Sequence, residues 1–291
     1  MTENRATLIG FSAVLLWALL AVFTVGSSPV PPLQLNAMTF AIGGAIGVIW
    51  VLATGGIVRL RGVSWRVYAF GTLGLFGYHA LYFTALRLAP AAEAGLIAYL
   101  WPLLIVLFSG FLPGESLRPG HIIGALVSFA GAALILGNGF SGFDANSSLG
   151  YGAAILCALT WSSYSVLSRR LGTTPTDSVA VFCVATAILS TAAHVAIEDT
   201  QWPTTALGWA SVAALGLGPV GLAFYTWDVG VKRGNIQLLG TASYAAPLLS
   251  TLVLILVGAA QPSPMLVAAA LLVTLGAWLA ARAGRAGRPV A

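Results

Sequence analysis

The residues of this chain best equipped to recognise a ligand are aromatic, and they come in clusters. Tyr78, His79 and Tyr82 stand at i, i+1 and i+4, within one arc of a helix. Tyr99 and Trp101 follow, directly before Pro102. Such side chains offer ring faces for stacking, and phenol, indole and imidazole tips for a few directed hydrogen bonds. The pattern partly recurs: Tyr99 to Tyr244 and Pro102 to Pro247 are steps of 145 residues, and Trp17 to Trp161 is a step of 144. Trp17, Tyr78, His79, Tyr82, Tyr99, Trp101, Trp161 and Tyr244 are therefore the candidate substrate-binding residues. Pro102 and Pro247 are candidate hinges, because a proline inside a helix clashes with the carbonyl four residues earlier, here Ala98 and Ser243. For His79 three roles stay open: a packed, hydrogen-bonded group, a cavity wall, or a proton carrier.

Other chemistries lack their residues. The sole lysine is Lys232, so no Gly-x4-Gly-Lys phosphate loop exists and the chain hydrolyses no ATP of its own. No HExxH, spaced Cys/His set or Ser/His/Asp constellation points to a metal, a cofactor or an enzyme. Cys157 and Cys183 lie in apolar runs and read as small buried hydrophobes. The net charge of +5 comes from basic residues scattered at helix ends, which argues against a nucleic-acid partner. Between those ends there is no Arg or Lys for a dianion and no carboxylate for a proton relay; Glu93 and Asp228 come closest. The expected ligand is neutral, zwitterionic or largely apolar.

The elements that must position these residues follow from composition. Apolar residues make up 58% of the chain and charged residues 7%, and mean hydropathy is +0.93. Soluble domains carry about 25% charged residues, so this is an all-α integral membrane protein. Apolar runs predict ten helices near 6–25, 33–53, 66–86, 91–112, 119–137, 148–168, 178–197, 206–230, 236–258 and 263–282. The first run is too long for the core of a signal peptide and is kept as a span. With both termini in the cytoplasm, Arg5, Arg59, Arg61, Arg66, Arg118, Arg169, Arg170, Lys232, Arg233, Arg282, Arg285 and Arg288 all fall inside, and only Arg87 falls outside. Five helices per half makes the halves, 1–140 and 141–291, inverted repeats of one another. Trp50, Trp65, Tyr68, Trp202 and Trp209 lie near span ends and suit the headgroup belt. Trp17, Trp101 and Trp161 fall near mid-depth, where an indole N–H facing lipid would lack a partner, so they are expected to face inward.

The run Glu93 to Leu104, with Gly114-Glu115 and Pro119-Gly120 after it, resembles the EamA-type branch of the drug/metabolite transporter superfamily. The second half departs from the pattern, having Ala260-Gln261 where the first has Glu115-Ser116. Tyr78 to Tyr82 and Tyr99 to Pro102 look most like the YddG-type aromatic amino-acid exporters of bacterial inner membranes. The resemblance implies a multi-pass inner-membrane secondary transporter exporting aromatic amino acids from cytoplasm to periplasm, with other amino acids and flat aromatic cations left open as further substrates. Alternating access would run through an aromatic-lined central cavity. The alternatives are a multidrug or aromatic-cation exporter, or a membrane assembly partner that transports nothing. Because Phe224 and Ala246 stand opposite His79 and Trp101, the site is expected to be lopsided, with the first half supplying most of the recognition.

Overall fold

A computed structural model describes residues 1–285 of the chain; Arg288 lies outside the described residues. These fold into ten long helical segments: α1 (Glu3–Gly26), α2 (Pro32–Ala53), α3 (Trp65–Leu88), α4 (Ala91–Ser109), α5 (Pro119–Leu136), α6 (Ser148–Arg170), α7 (Ser178–Ile197), α8 (Ala206–Arg233), α9 (Ile236–Leu256) and α10 (Pro264–Arg285). No strand occurs among the described residues. Eight of the ten are long and apolar enough to cross a membrane. The other two, α3 and α6, are long enough at 24 and 23 residues but less apolar. Their polar and aromatic content is the reason: α3 carries Tyr78, His79 and Tyr82, and α6 carries Trp161, Ser162, Ser163 and Tyr164.

The segments pair across the halves: α1 on α8, α2 on α7, α3 on α6, α4 on α9 and α5 on α10. Exchanging first-half for second-half helices maps α3–α6 onto α8–α1 and returns the other three pairs to themselves. The crossings are made close by glycine. A Cβ on Gly10 would sit 2.7 Å from Gly230 Cα, and one on Gly124 would sit 2.5 Å from Gly276 O. Helix association in lipid gains little from hydrophobicity and depends on close packing of this kind.

Among the described residues the ion pairs lie at the two ends of the bundle. At one end Arg59 makes a two-pronged ion pair with Asp177, 2.9 Å on each arm. Arg169 pairs with Glu115 and donates to Val231 O and Gly234 O, while Lys232 is held by Asp228 at 2.8 Å and by Thr174 O. At the other end the Glu198 carboxylate accepts from Leu33 N and Gln34 N, the first free N–H groups of α2, and from Arg87 at 2.8 Å and His194 at 3.0 Å. Pro31 and Pro32 start α2 without a side-chain cap of its own, so the anion of a distant loop neutralises its exposed donors. Arg87 is thus separated by the length of the bundle from Arg59 and Arg169. Trp50, Trp65, Trp202 and Trp209 are exposed, and Trp202 stacks on Trp209. Cys157 and Cys183 are free and buried.

Four interruptions shape the interior. Both candidate hinge prolines sit just after one: α4 breaks at Tyr99–Leu100 and α9 at Ser243–Tyr244. The break begins upstream of the ring, beside the carbonyl that the proline obstructs. The other two were not apparent from the pattern of apolar residues. α1 is interrupted at Ala18–Leu19, and α8 contains a π-helical turn, Gly218–Leu222, that includes Pro219. The lower halves of the broken helices, Trp101–Ser109 and Ile236–Ala242, pack together; Gly240 lies so close that a Cβ there would be 3.1 Å from Pro102 O and from the Ile105 and Val106 methyls. The upper halves turn apart, Ala91–Ala98 onto α6 and Ala245–Leu256 onto α5, α10 and α1. Between α4 and α9 the bundle is closed towards the Arg59 end and parted towards the Arg87 end.

Candidate functional site

Trp17 stands at the middle of the interior. Its indole N–H donates to Pro219 O at 3.1 Å, inside the π-helical turn of α8. Around it gather Trp101 at 6.1 Å, Trp161 at 5.9 Å, Trp227 at 5.1 Å and Phe224 at 6.4 Å between ring centroids. Trp161 and Trp227 stack on each other at 6.3 Å, and the Trp227 N–H donates to Ser165 Oγ at 3.1 Å. Trp101, Trp161 and Trp227 are buried. Four indoles from α1, α4, α6 and α8 therefore form one packed floor, lying on the closed side of the α4–α9 crossing.

Above that floor the rings are only half-buried. Tyr78 packs on Trp161 at 5.3 Å and stacks parallel to Tyr82 at 6.2 Å. Tyr99 reaches Trp101 at 6.2 Å across the α4 break. His79 is ringed by Phe40, Tyr78, Phe83 and Phe224 at centroid distances of 5.1, 5.1, 6.3 and 6.2 Å, and its Nδ1 lies 2.8 Å from Leu75 O. No bond to another described residue holds the hydroxyls of Tyr78, Tyr82 and Tyr99, the N–H groups of Trp101 and Trp161, or His79 Nε2. Nor does any of these belong to the buried polar atoms left without a partner. They are accessible, uncommitted hydrogen-bonding groups on an uncharged aromatic wall.

Seven of the eight candidates thus meet in one place: Trp17, Tyr78, His79, Tyr82, Tyr99, Trp101 and Trp161. Tyr244 stands beside them, in a neighbouring cluster. It is fully buried there with Ala132 and Val273, against which Phe129 and Tyr99 pack, and its hydroxyl accepts the Leu103 N–H at 3.0 Å. Leu103 is among the first residues of the lower half of α4, whose N–H groups have no helical carbonyl to reach. Tyr244 therefore mends the α4 break from α9. Three residues absent from the candidate set complete the wall: Phe40, Phe224 and Trp227. Two of them carried a signal, since Trp227 stands 145 residues after Tyr82 and Phe224 the same distance after His79. Phe40 had none.

Two apolar recesses of the outer wall, one against Phe108, Val166 and Arg170 and one against Val48, Ile57 and Val184, lie apart from this cluster. Among the described residues no three His, Cys, Asp or Glu gather as a metal site. The carboxylates nearest the interior are bound elsewhere, Glu93 by Ser141 and Asp228 by Lys232 and Thr176.

The sequence profile of the EamA-like transporter family matches residues 4–137 and again 148–282. A protein of Ancylobacter novellus named aromatic amino acid exporter YddG is 54% identical over 283 residues, 96% of this chain and 98% of that one. A protein of the same name from Escherichia coli is 26% identical over 98% of this chain and 100% of its own length. A solved crystal structure, 53% identical, superposes with a TM-score of 0.93 over 98% of this chain and 99% of that one.

Proposed function

We propose that this chain, which belongs to the EamA-like transporter family, exports aromatic amino acids by alternating access. It is a multi-pass membrane transporter and not an enzyme. The observation that carries the finer reading is the wall of uncommitted Tyr, Trp and His tips set in an uncharged aromatic cluster beside the α4–α9 crossing. Aromatic side chains of a substrate would stack there, and the zwitterionic end would meet neutral hydrogen-bonding groups. The name of the Ancylobacter relative supports the same substrate class.

In this reading all ten segments span a bacterial inner membrane, with both termini and the Arg59 end in the cytoplasm. The two matched segments of the family profile support two five-helix repeats, 1–140 and 141–291, inverted in the bilayer. The pocket then opens to the periplasm, because α4 and α9 part on the Arg87 side. Trp17, Tyr78, His79, Tyr82, Tyr99, Trp101 and Trp161 bind substrate, joined by Phe40, Phe224 and Trp227. Pro102 and Pro247 mark the elbows on which α4 and α9 swing, and Tyr244 acts as a support of the α4 elbow. The partners are the small-molecule substrate and the lipid bilayer.

The test is reconstitution of the purified protein into liposomes followed by uptake of labelled phenylalanine and tryptophan. Saturable flux that falls on replacing Trp101 or Tyr78 with Ala is expected. A protein that is folded and inserted yet gives no saturable flux of either amino acid refutes the proposal. Flux of flat aromatic cations alone would instead favour the aromatic-cation reading, since the same ring faces attract cations.

A further inference from the structure

His79 is the one polar group of the pocket whose hydrogen-bonding sense is fixed by its surroundings. Its Nδ1 lies 2.8 Å from Leu75 O, and a carbonyl oxygen can only accept. Nδ1 therefore carries the proton, and in the neutral imidazole Nε2 is left as a bare acceptor. The tyrosine hydroxyls can turn either way, and the Trp101 and Trp161 N–H groups can only donate. His79 Nε2 is thus the obligatory acceptor among the uncommitted groups, and it is not sealed away from a ligand.

Its neighbours strengthen that sense. Phe40, Tyr78, Phe83 and Phe224 surround the ring, and aromatic faces attract cations. The charges of its own helix, Arg66 and Arg87, stand at the two ends. Among the described residues the titratable neighbours in ring contact are Tyr78 and, through Tyr78, Tyr82. Among the described residues no cationic side chain is in ring contact with the cluster to balance a carboxylate.

We propose that His79 Nε2 receives the ammonium group of the substrate, so that the pocket selects for a free amine and is indifferent to a free carboxylate. This rests on reading the aromatic cluster as the substrate site. The chemical class it predicts is wider than amino acids: primary arylalkylamines fit, whereas aromatic acids without an amine and N-acylated amino acids do not.

The experiment uses the full chain in detergent, with binding read from quenching of intrinsic tryptophan fluorescence. The probes are L-phenylalanine, phenethylamine, N-acetyl-L-phenylalanine and 3-phenylpropanoate. The first two are expected to bind comparably, and the last two roughly tenfold or more weakly, as loss of a charge-assisted hydrogen bond implies. His79→Phe keeps a packed ring without an acceptor and should weaken the two amine probes by about the same tenfold. His79→Gln, which offers an amide oxygen, should recover part of the loss. N-acetyl-L-phenylalanine binding as tightly as phenylalanine overturns the proposal, as does unchanged amine binding by folded His79→Phe, or no binding by any probe. Phenylalanine flux in liposomes is measured in parallel. Absent flux with the amine pattern intact sinks the transport reading alone, and normal flux without amine selectivity sinks this inference alone.

Discussion

Replacing Glu198 by Gln should weaken the bundle far more than replacing its ion-pair partner. The Glu198 side chain is 3% exposed, whereas that of Arg87 is 46% exposed. Half in water, Arg87 contributes the roughly 0–1 kcal/mol of a surface pair. The carboxylate itself is another matter, because Leu33 N and Gln34 N point at it from the start of α2 at 3.0 to 3.1 Å, with His194 Nδ1 at 3.0 Å. The neutral amide keeps one acceptor oxygen but turns an N–H2 towards groups that are themselves donors. Loss of a buried, multiply bonded anion costs about 3–5 kcal/mol, of which the helix-start electrostatics account for up to about 1 kcal/mol. Thermal or urea unfolding in detergent, followed by tryptophan fluorescence, measures the difference. Glu198→Gln is expected to lose at least about three times as much stability as Arg87→Gln. Equal losses would refute the assignment of Glu198 as the cap of α2 and reduce it to an ordinary surface ion pair.

Gly124→Ala should destabilise the fold by about 1–3 kcal/mol, because its Cβ would strike Gly276 O at 2.5 Å and Ala280 N at 2.8 Å. Gly152→Ala, in open space inside α6, should be neutral or stabilising by up to about 1 kcal/mol; the unfolding midpoints of the two variants compare them directly. The hydrogen bonds from Arg59 hold the Asp177 carboxyl below the usual carboxylate range. A depressed carboxyl stabilises the fold at neutral pH and loses that contribution as pH falls through its lowered pKa. The stability gap between wild type and Asp177→Asn should therefore be widest near pH 7 and close in acid; a gap that grows on acidification would contradict the pairing. Tyr244→Phe removes the acceptor for Leu103 N–H and should cost about 1–3 kcal/mol with packing preserved. Unchanged stability in that variant would show that water replaces the hydroxyl.

Much of this architecture could be read from residue order, and the reason is physical. Lipid forces every backbone polar group into helices, so apolar runs and charged breaks fall where helices begin and end: the expected helix near 33–53 is Pro32–Ala53, and that near 178–197 is Ser178–Ile197. The proline rule likewise located the α4 and α9 breaks. The π-helical turn at Gly218–Leu222 carried a local signal in Gly218-Pro219, but its contacts did not: Trp17 donates to Pro219 O, and a Cβ on Gly43 would lie 2.9 Å from Gly221 Cα. Neither partner is near it in sequence. The same limit applies to the site. Tyr78, His79 and Tyr82 share an arc of one helix, so their common face was visible. That Trp227 and Phe224 turn towards them depends on how α8 crosses α1. Tyr244 illustrates the converse: its likeness to Tyr99 was genuine, yet the α9 break places it against α5, where it meets Phe129 in place of the tryptophan floor.

The bond from Leu103 to Tyr244 has a mirror image that this structure leaves unmade. A step of 145 residues carries Leu103 to Leu248 and Tyr99 to Tyr244, so the equivalent bond would run from Leu248 N–H to the hydroxyl of Tyr99, which is now free. If the two repeats trade shapes when the protein turns over, Tyr244 releases α4 as Tyr99 takes hold of α9. The pair would then act as an escapement, each tyrosine securing the elbow of the opposite repeat in one state only. Tyr244→Phe should bias the molecule away from the state described here, and Tyr99→Phe should bias it towards that state. Two changes of the same single atom, in residues one repeat apart, would push the cycle in opposite directions.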